Sequence, residues 1–248
     1  KITLGARAFS YDKSQSSYDF SPIFEVDAGS SLESDESGET YKVNLTYTPT
    51  DDALLYLQWA EGFRLGRPLA PLPSSDLCDP DGDGSIITDD GRVVEHAESL
   101  DSDLLDSFEL GGKFSFLENH ITVNASVYHI NWEGLPVATT NVTTACDALQ
   151  NAGEARSQGF ELETAFQVTE QFLTEFGVSF VDAELTEDAG VVGQEGDRLP
   201  GSPKYNANIS ASYEFNLLEK PAYIRGDYAY VGGFYNNLQE SGVEAGDY

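Results

Sequence analysis

The stretch Asp79-Pro80-Asp81-Gly82-Asp83-Gly84-Ser85-Ile86-Ile87-Thr88-Asp89-Asp90 carries carboxylates at positions 1, 3, 5 and 12 of twelve. Position 6 is glycine and position 8 is apolar. Hard oxygen donors at this spacing wrap one Ca²⁺, and the glycine permits the sharp turn between them. The candidate metal ligands are therefore Asp79, Asp81, Asp83 and Asp90, with Asp89 and Asp76 close enough in sequence to substitute. Position 12 is Asp where a longer, bidentate Glu is usual, and no helical pattern flanks the stretch. An acidic, solvated surface loop is the competing reading, and the sequence leaves both open.

Nothing else suggests catalysis. His96, His120 and His129 lie on separate segments without metal-ligand spacing. No nucleophile elbow or phosphate-binding loop occurs. Glu161 and Glu163 lie two apart on the polar side of an alternating run, which suits a wetted wall better than acid–base chemistry. The chain reads as a non-enzyme with no catalytic or cofactor-binding residues, and with Ca²⁺ in one loop as its single candidate ion.

The composition narrows the partners. Thirteen basic residues against 43 acidic ones give a net charge of −30 in 248 residues, which argues against nucleic acid or anionic lipid. An aromatic content of 12% argues against disorder. The acid crowds residues 27–39 and 76–106, between more regular segments. Such a surface fits a saline habitat or divalent-cation binding. No run of 18 apolar residues exists, which excludes a membrane-crossing helix and is silent about strands. Lys1 already lies in a strand-like run without a leader, so the chain reads as an internal piece of a longer protein.

The regular segments alternate with period two. From Lys204 to Phe215, Tyr205, Ala207, Ile209, Ala211, Tyr213 and Phe215 fall on one side and Asn206, Asn208, Ser210, Ser212 and Glu214 on the other. Successive strand side chains point to opposite faces, so this is a strand with one greasy and one wet side. Its length, about 11 residues, matches a tilted strand crossing a bilayer. The same pattern predicts strands at Ile2–Tyr11, Tyr41–Thr48, Ala53–Phe63, Ser107–Phe116, from Ile121 onward, Gln158–Val168, Phe172–Phe180 and Ala222–Phe234. Ile2–Tyr11 and Tyr41–Thr48 are separated by a polar connection of roughly 28 residues, and parity breaks at Tyr128–Trp132, which suggests a bulge or emergence from the bilayer. Nine strands alternate short turns with long loops, as in bacterial outer-membrane barrels. Glu109, Lys113, Glu161, Glu163, Arg225 and Asp227 share the polar faces and would carry heavy desolvation costs in a soluble sandwich core. The expected fold is an all-β, antiparallel transmembrane β-barrel.

Four phrases give this pattern a family. Leu54-Leu55-Tyr56 through Glu61-Gly62-Phe63-Arg64, then Ser107-Phe108-Glu109-Leu110-Gly111 with Lys113, resemble two strands of the TonB-dependent outer-membrane receptors. Asn151-Ala152-Gly153-Glu154-Ala155-Arg156-Ser157 with Gly159-Phe160-Glu161-Leu162-Glu163, and Arg198-Leu199-Pro200-Gly201-Ser202-Pro203-Lys204, resemble two more. In order and together, they are similar to the C-terminal barrel portion of an iron-complex (siderophore) receptor. The resemblance implies a 22-stranded barrel with a plug, here absent, of which residues 1–248 form a partial barrel domain. It implies bacterial outer-membrane lipid around the barrel, a scarce small-molecule ligand such as a ferric siderophore, and energy delivered by the TonB system through the plug. Cys78 and Cys146 then fall in neighbouring outer loops and fold in an oxidising compartment, where a disulfide is the natural pairing and two free thiols the alternative. Arg64, Arg67, Trp132, Arg156 and Arg198 fall near the outer mouth, where guanidinium groups suit carboxylate or catecholate oxygens; salt bridges to local acids compete for each. A passive porin- or adhesin-like barrel and a soluble, acidic calcium-binding β-protein are the rival readings.

Overall fold

The computed structural model describes the chain except residues 22–25, 73–77, 90, 142, 152, 190–192, 237, 239–243 and 248; for residues 17–31 only the backbone is described. Among the described residues, nine long strands form one sheet: β1 (Ile2–Ser21), β2 (Val26–Thr50), β3 (Ala53–Arg64), β4 (Asp103–Phe116), β5 (Ile121–Glu133), β6 (Glu154–Thr169), β7 (Phe172–Leu185), β8 (Tyr205–Leu217) and β9 (Lys220–Val231). Each pairs antiparallel with its sequence neighbour, in the order β1 to β9, and the sheet is open, with β1 and β9 unpaired to each other. The connections at Asp51–Asp52, 117–120, 170–171 and 218–219 are tight, whereas those at 65–102, 134–153 and 186–204 are long. Antiparallel pairing places all the tight turns at one end of the sheet and all the long loops at the other.

The pairing register carries the alternation across the sheet. Leu45 faces Leu57, Leu57 faces Leu110, and Leu110 faces Val127. Val127 faces Phe160, Phe160 faces Phe180, and Phe180 faces Tyr205. Because side-chain period is two, one slip in any ladder would turn this row inside out. The row forms an exposed apolar band; Leu110 is 54% exposed and Ile209 51%. Burying such a side chain is worth about 1.5–3 kcal/mol, so a band this wide is a face that an apolar environment must cover. The 13 residues of β8 span roughly 43 Å along the strand at about 3.3 Å each, which covers a hydrocarbon core at the usual barrel tilt.

The opposite face alternates polar groups with glycines, and large side chains fill the glycine gaps. Tyr56 lies against Gly111, its ladder partner, where an added Cβ would sit 2.4 Å from the ring. Tyr128 covers Gly159 and Phe9 covers Gly38 in the same cross-strand arrangement. Further along, Ser210 Oγ donates to Glu175 at 2.9 Å, and Arg225 pairs with Glu175 at 3.0 Å and Asp227 at 2.8 Å.

One expectation is corrected and another is narrowed to one of its two readings. The acidic residues after Tyr11 do not form an irregular loop: β1 and β2 continue as a two-stranded arm, in unbroken register from Ile2–Leu45 to Ser21–Val26. Polar side chains suffice because both faces of an arm that leaves the bilayer are wet, and the ladder needs only backbone groups. The parity break at Tyr128–Trp132 is not a bulge, since β4 and β5 keep register from Phe116–Ile121 to Leu104–Glu133. His129 and Asn131 simply continue the outer face past the end of its apolar band.

Candidate ligand-recognition site at the outer mouth

The long loops pack on one another. Ser85–Ile87 pairs with Val93–Glu95, and Pro136–Asn141 pairs with Cys146–Asn151, making two small hairpins. Between them lies a buried cluster of Cys78, Ile86, Val94, Cys146 and Ala148. A disulfide joins Cys78 to Cys146 across 68 residues of sequence, with Cα atoms 5.5 Å apart. Closing a loop of that length restricts the unfolded chain by about 4 kcal/mol in the chain-entropy account. His96 adds a polar clasp: its Nδ1 accepts the Leu149 N–H at 3.2 Å, so its Nε2 carries the proton donated to the Ala70 carbonyl at 2.9 Å. Asn151 closes the same seam, receiving the Asp101 N–H at 2.8 Å and donating to the Gly134 carbonyl at 2.6 Å. A second cluster of Leu135, Val137, Ala155, Leu185, Ala189 and Leu238 joins these loops to the next ones.

At the base of this cap Arg64 lies against Trp132 and lines one cavity with Arg67, while Arg156 and Arg198 contact other residues. Asp103, 1% exposed, accepts from Arg64 Nη2 and Nε (the latter at 3.3 Å) and from Trp132 Nε1 at 2.8 Å. The Arg64 guanidinium lies 5.4 Å from the Trp132 ring centre, a cation–π distance. A buried carboxylate is tolerated here because three donors offset its desolvation. Arg64, Asp103 and Trp132 follow the polar-face parity of three neighbouring strands, so they project inward at the rim. Arg156 is engaged by Glu184 across β6 and β7, and Arg198 donates to the Ser202 carbonyl at 3.1 Å beneath Tyr235. Asp103 was missed in the sequence because one Asp in an acidic stretch carries no signal until its partners on β3 and β5 are known.

Asp79, Asp81 and Asp83 hold their carboxylate oxygens within 4.8 Å of one another, and Asp90 lies outside the described residues, as does Asp76. Asp79 accepts the N–H groups of Asp83 (3.0 Å) and Gly84 (3.1 Å), and the φ angles of 73° at Gly82 and 81° at Gly84 make the turn that glycine favours. The Ser85 hydroxyl and N–H hold the Asp83 carboxyl below its ordinary value. Asp89 Oδ1 accepts from the N–H and hydroxyl of Thr143 on the neighbouring loop. On the β1–β2 arm, burial and the adjacent Glu36 push Tyr11 up. Burial alone would raise Glu36, but hydrogen bonds from Ser102 and Tyr11 hold it below its usual range.

The comparisons agree with this architecture. The family model described as TonB dependent receptor-like, beta-barrel, matches residues 1–248. The probable TonB-dependent siderophore receptor PiuA of Acinetobacter baumannii is 23% identical over 185 residues, 71% of this chain and 22% of that protein. The metal-pseudopaline receptor CntO of Pseudomonas aeruginosa is 31% identical over 146 residues, 55% of this chain and 19% of that one. Among solved structures, the ferric yersiniabactin uptake receptor FyuA from Yersinia pestis superposes with a TM-score of 0.72 at 18% identity, over all of this chain and 34% of its own. PiuA's crystal structure gives 0.66 at 18%, over all of this chain and 33% of that one. The chain thus spans about a fifth of the curated relatives and a third of the solved ones. Family members are outer-membrane transporters of Gram-negative bacteria, not enzymes. With the model matched from end to end and the nine-stranded sheet in place, this chain belongs to the TonB-dependent receptor β-barrel family.

Proposed function

We propose that this chain is a partial barrel domain of an active-transport receptor that takes up a scarce metal complex of the ferric-siderophore type, energised through TonB. The observation that carries the reading is the division of one sheet into a lipid-facing apolar band and a polar inner face whose outer rim bears Arg64, Arg67 and Trp132. Guanidinium groups beside an indole suit the carboxylate or aromatic oxygens that chelate iron. The names of the relatives, siderophore and metal-complex receptors, support the same class. The test is radiolabelled iron uptake by cells in which this receptor is the single route for ferric chelates. Uptake should stop when TonB is deleted; uptake that persists makes the barrel a passive pore and overturns the reading.

The loop at Asp79–Asp83 is part of this proposal as a Ca²⁺ site. Its carboxylates already converge, and Asp79 already bonds the backbone of the turn, so little ordering is left for the ion to impose. Without flanking helices the affinity belongs with weak extracellular modules, on the order of 10⁻⁴–10⁻³ M. Calorimetric titration of Ca²⁺ into the receptor should show saturable heat that Asp81→Ala with Asp83→Ala removes. Equal, flat titrations leave the loop a solvated acidic turn.

A further inference from the structure

We infer that the cavity between residues 64–67, residues 100–103 and the hairpin of Pro136–Asn141 with Cys146–Asn151 is a subsite for a zwitterionic group: a carboxylate and a protonated amine a few atoms apart on an apolar chain. The inference rests on the uptake reading for its place at the mouth. The cavity holds about 230 Å³, below the roughly 300–1,000 Å³ of sites that enclose a whole ligand, so it accepts one group of a larger one. Its four charged side chains are two arginines and two aspartates, and they divide unequally. Arg64 and Asp103 satisfy each other, with Asp103 buried. Arg67 and Asp101 are exposed, and among the described residues neither side chain has an ion-pair partner, the other included.

Those two free charges are held on rigid backbone. Arg67 pairs with Leu100 in a short ladder, which sets it beside Asp101. Asn151 fixes the Asp101 N–H at 2.8 Å and carbonyl at 3.2 Å. Gly66 packs so closely that a Cβ would sit 2.4 Å from the Leu100 carbonyl oxygen, which locks the two segments together. The remaining wall is apolar, supplied by Val137, Leu100 and Leu149. A simple anion would meet Arg67 but be repelled by Asp101, and a simple cation would meet the reverse. A group with both charges pairs with each, at little ordering cost to the protein, so the site selects by exclusion as well as by attraction.

The test uses the receptor isolated from outer membranes in detergent and three matched probes: L-norleucine, its N-acetyl derivative, which lacks the cation, and its amide, which lacks the anion. Binding is read by saturation-transfer NMR. Norleucine should bind at least about tenfold more tightly than either derivative, a difference of about 1.4 kcal/mol. Arg67→Gln should level norleucine with its amide, and Asp101→Asn should level it with the N-acetyl form. Equal binding of the three probes, no binding by any, or discrimination that survives both substitutions overturns the subsite. Iron uptake that continues under TonB control in those cases leaves the transport reading standing, and loss of uptake with discrimination intact does the reverse.

Discussion

Leu162 and Glu161 are neighbours in β6 with opposite surroundings. Leu162 lies in the outer row between Ala125 and Val178, while Glu161 faces Ser126 and Ser179 on the polar side. Leu162→Arg is expected to cost about 2–4 kcal/mol if it lies near the bilayer midplane, and Glu161→Arg much less. Unfolding midpoints in urea with lipid vesicles give the comparison; equal losses would mean the faces are misassigned. The arginines teach a different lesson at this scale. Each was a credible ligand contact by residue type alone, yet Arg64 and Arg156 are engaged by Asp103 and Glu184. Which guanidinium stays free depends on carboxylates distant in sequence, so no local pattern announces it.

The tight turns carry strain of their own. Leu218 and Glu219 link β8 to β9 with φ of 49° and 62°, a left-handed pair that costs side chains with a Cβ about 1 kcal/mol or more each. Leu218 is also 90% exposed, so packing does not offset the cost. Leu218→Asn with Glu219→Gly should raise unfolding stability by about 1 kcal/mol, visible as a shifted denaturant midpoint without loss of strand content. An unchanged or lowered midpoint would show that this turn has a partner its own residues do not reveal. The β1–β2 arm responds to pH instead. Glu36 is held below its ordinary value in the folded arm, so its contribution is fully present above the unfolded value of 4.5 and is lost as pH falls through the folded one. Protection factors for hydrogen exchange across β1 and β2, taken relative to the intrinsic rate at each pH, should therefore fall below about pH 4.5. Glu36→Gln should flatten that response, and an equal response in the variant would place the titrating group elsewhere.

For the molecule as a whole, the cap of outer loops is a folded unit stapled to itself. Cys78 joins the loop of residues 65–102 to that of residues 134–153, and the buried cluster around it includes residues of both. Cys78→Ser with Cys146→Ser should lower cap stability by about 2–4 kcal/mol, read as faster proteolysis of these loops while the sheet resists. Cap and sheet failing together would mean that the loops brace the strands. The wild-type thiols should resist alkylation until reduced, and free labelling of both would rule the bridge out.

Much of the fold was legible because period-two alternation is a local property that a bilayer enforces on every strand. Tyr205 to Phe215 shows its two faces without reference to any partner, and the four family phrases gave the strands their order. The long arm was not legible: residues 12–16 and 33–40 carry almost only polar side chains, which is the signature of a loop as much as of a wetted ribbon, and only cross-strand pairing distinguishes them. The site divided along the same line. Asp79, Asp81 and Asp83 converge within one turn, so their spacing announced them. The Arg64–Asp103–Trp132 contact and the neighbouring charges of Arg67 and Asp101 arise where β3, β4, β5 and two loops meet. Charge pairing acts over a few ångströms of space rather than of sequence, and tertiary structure alone sets those distances.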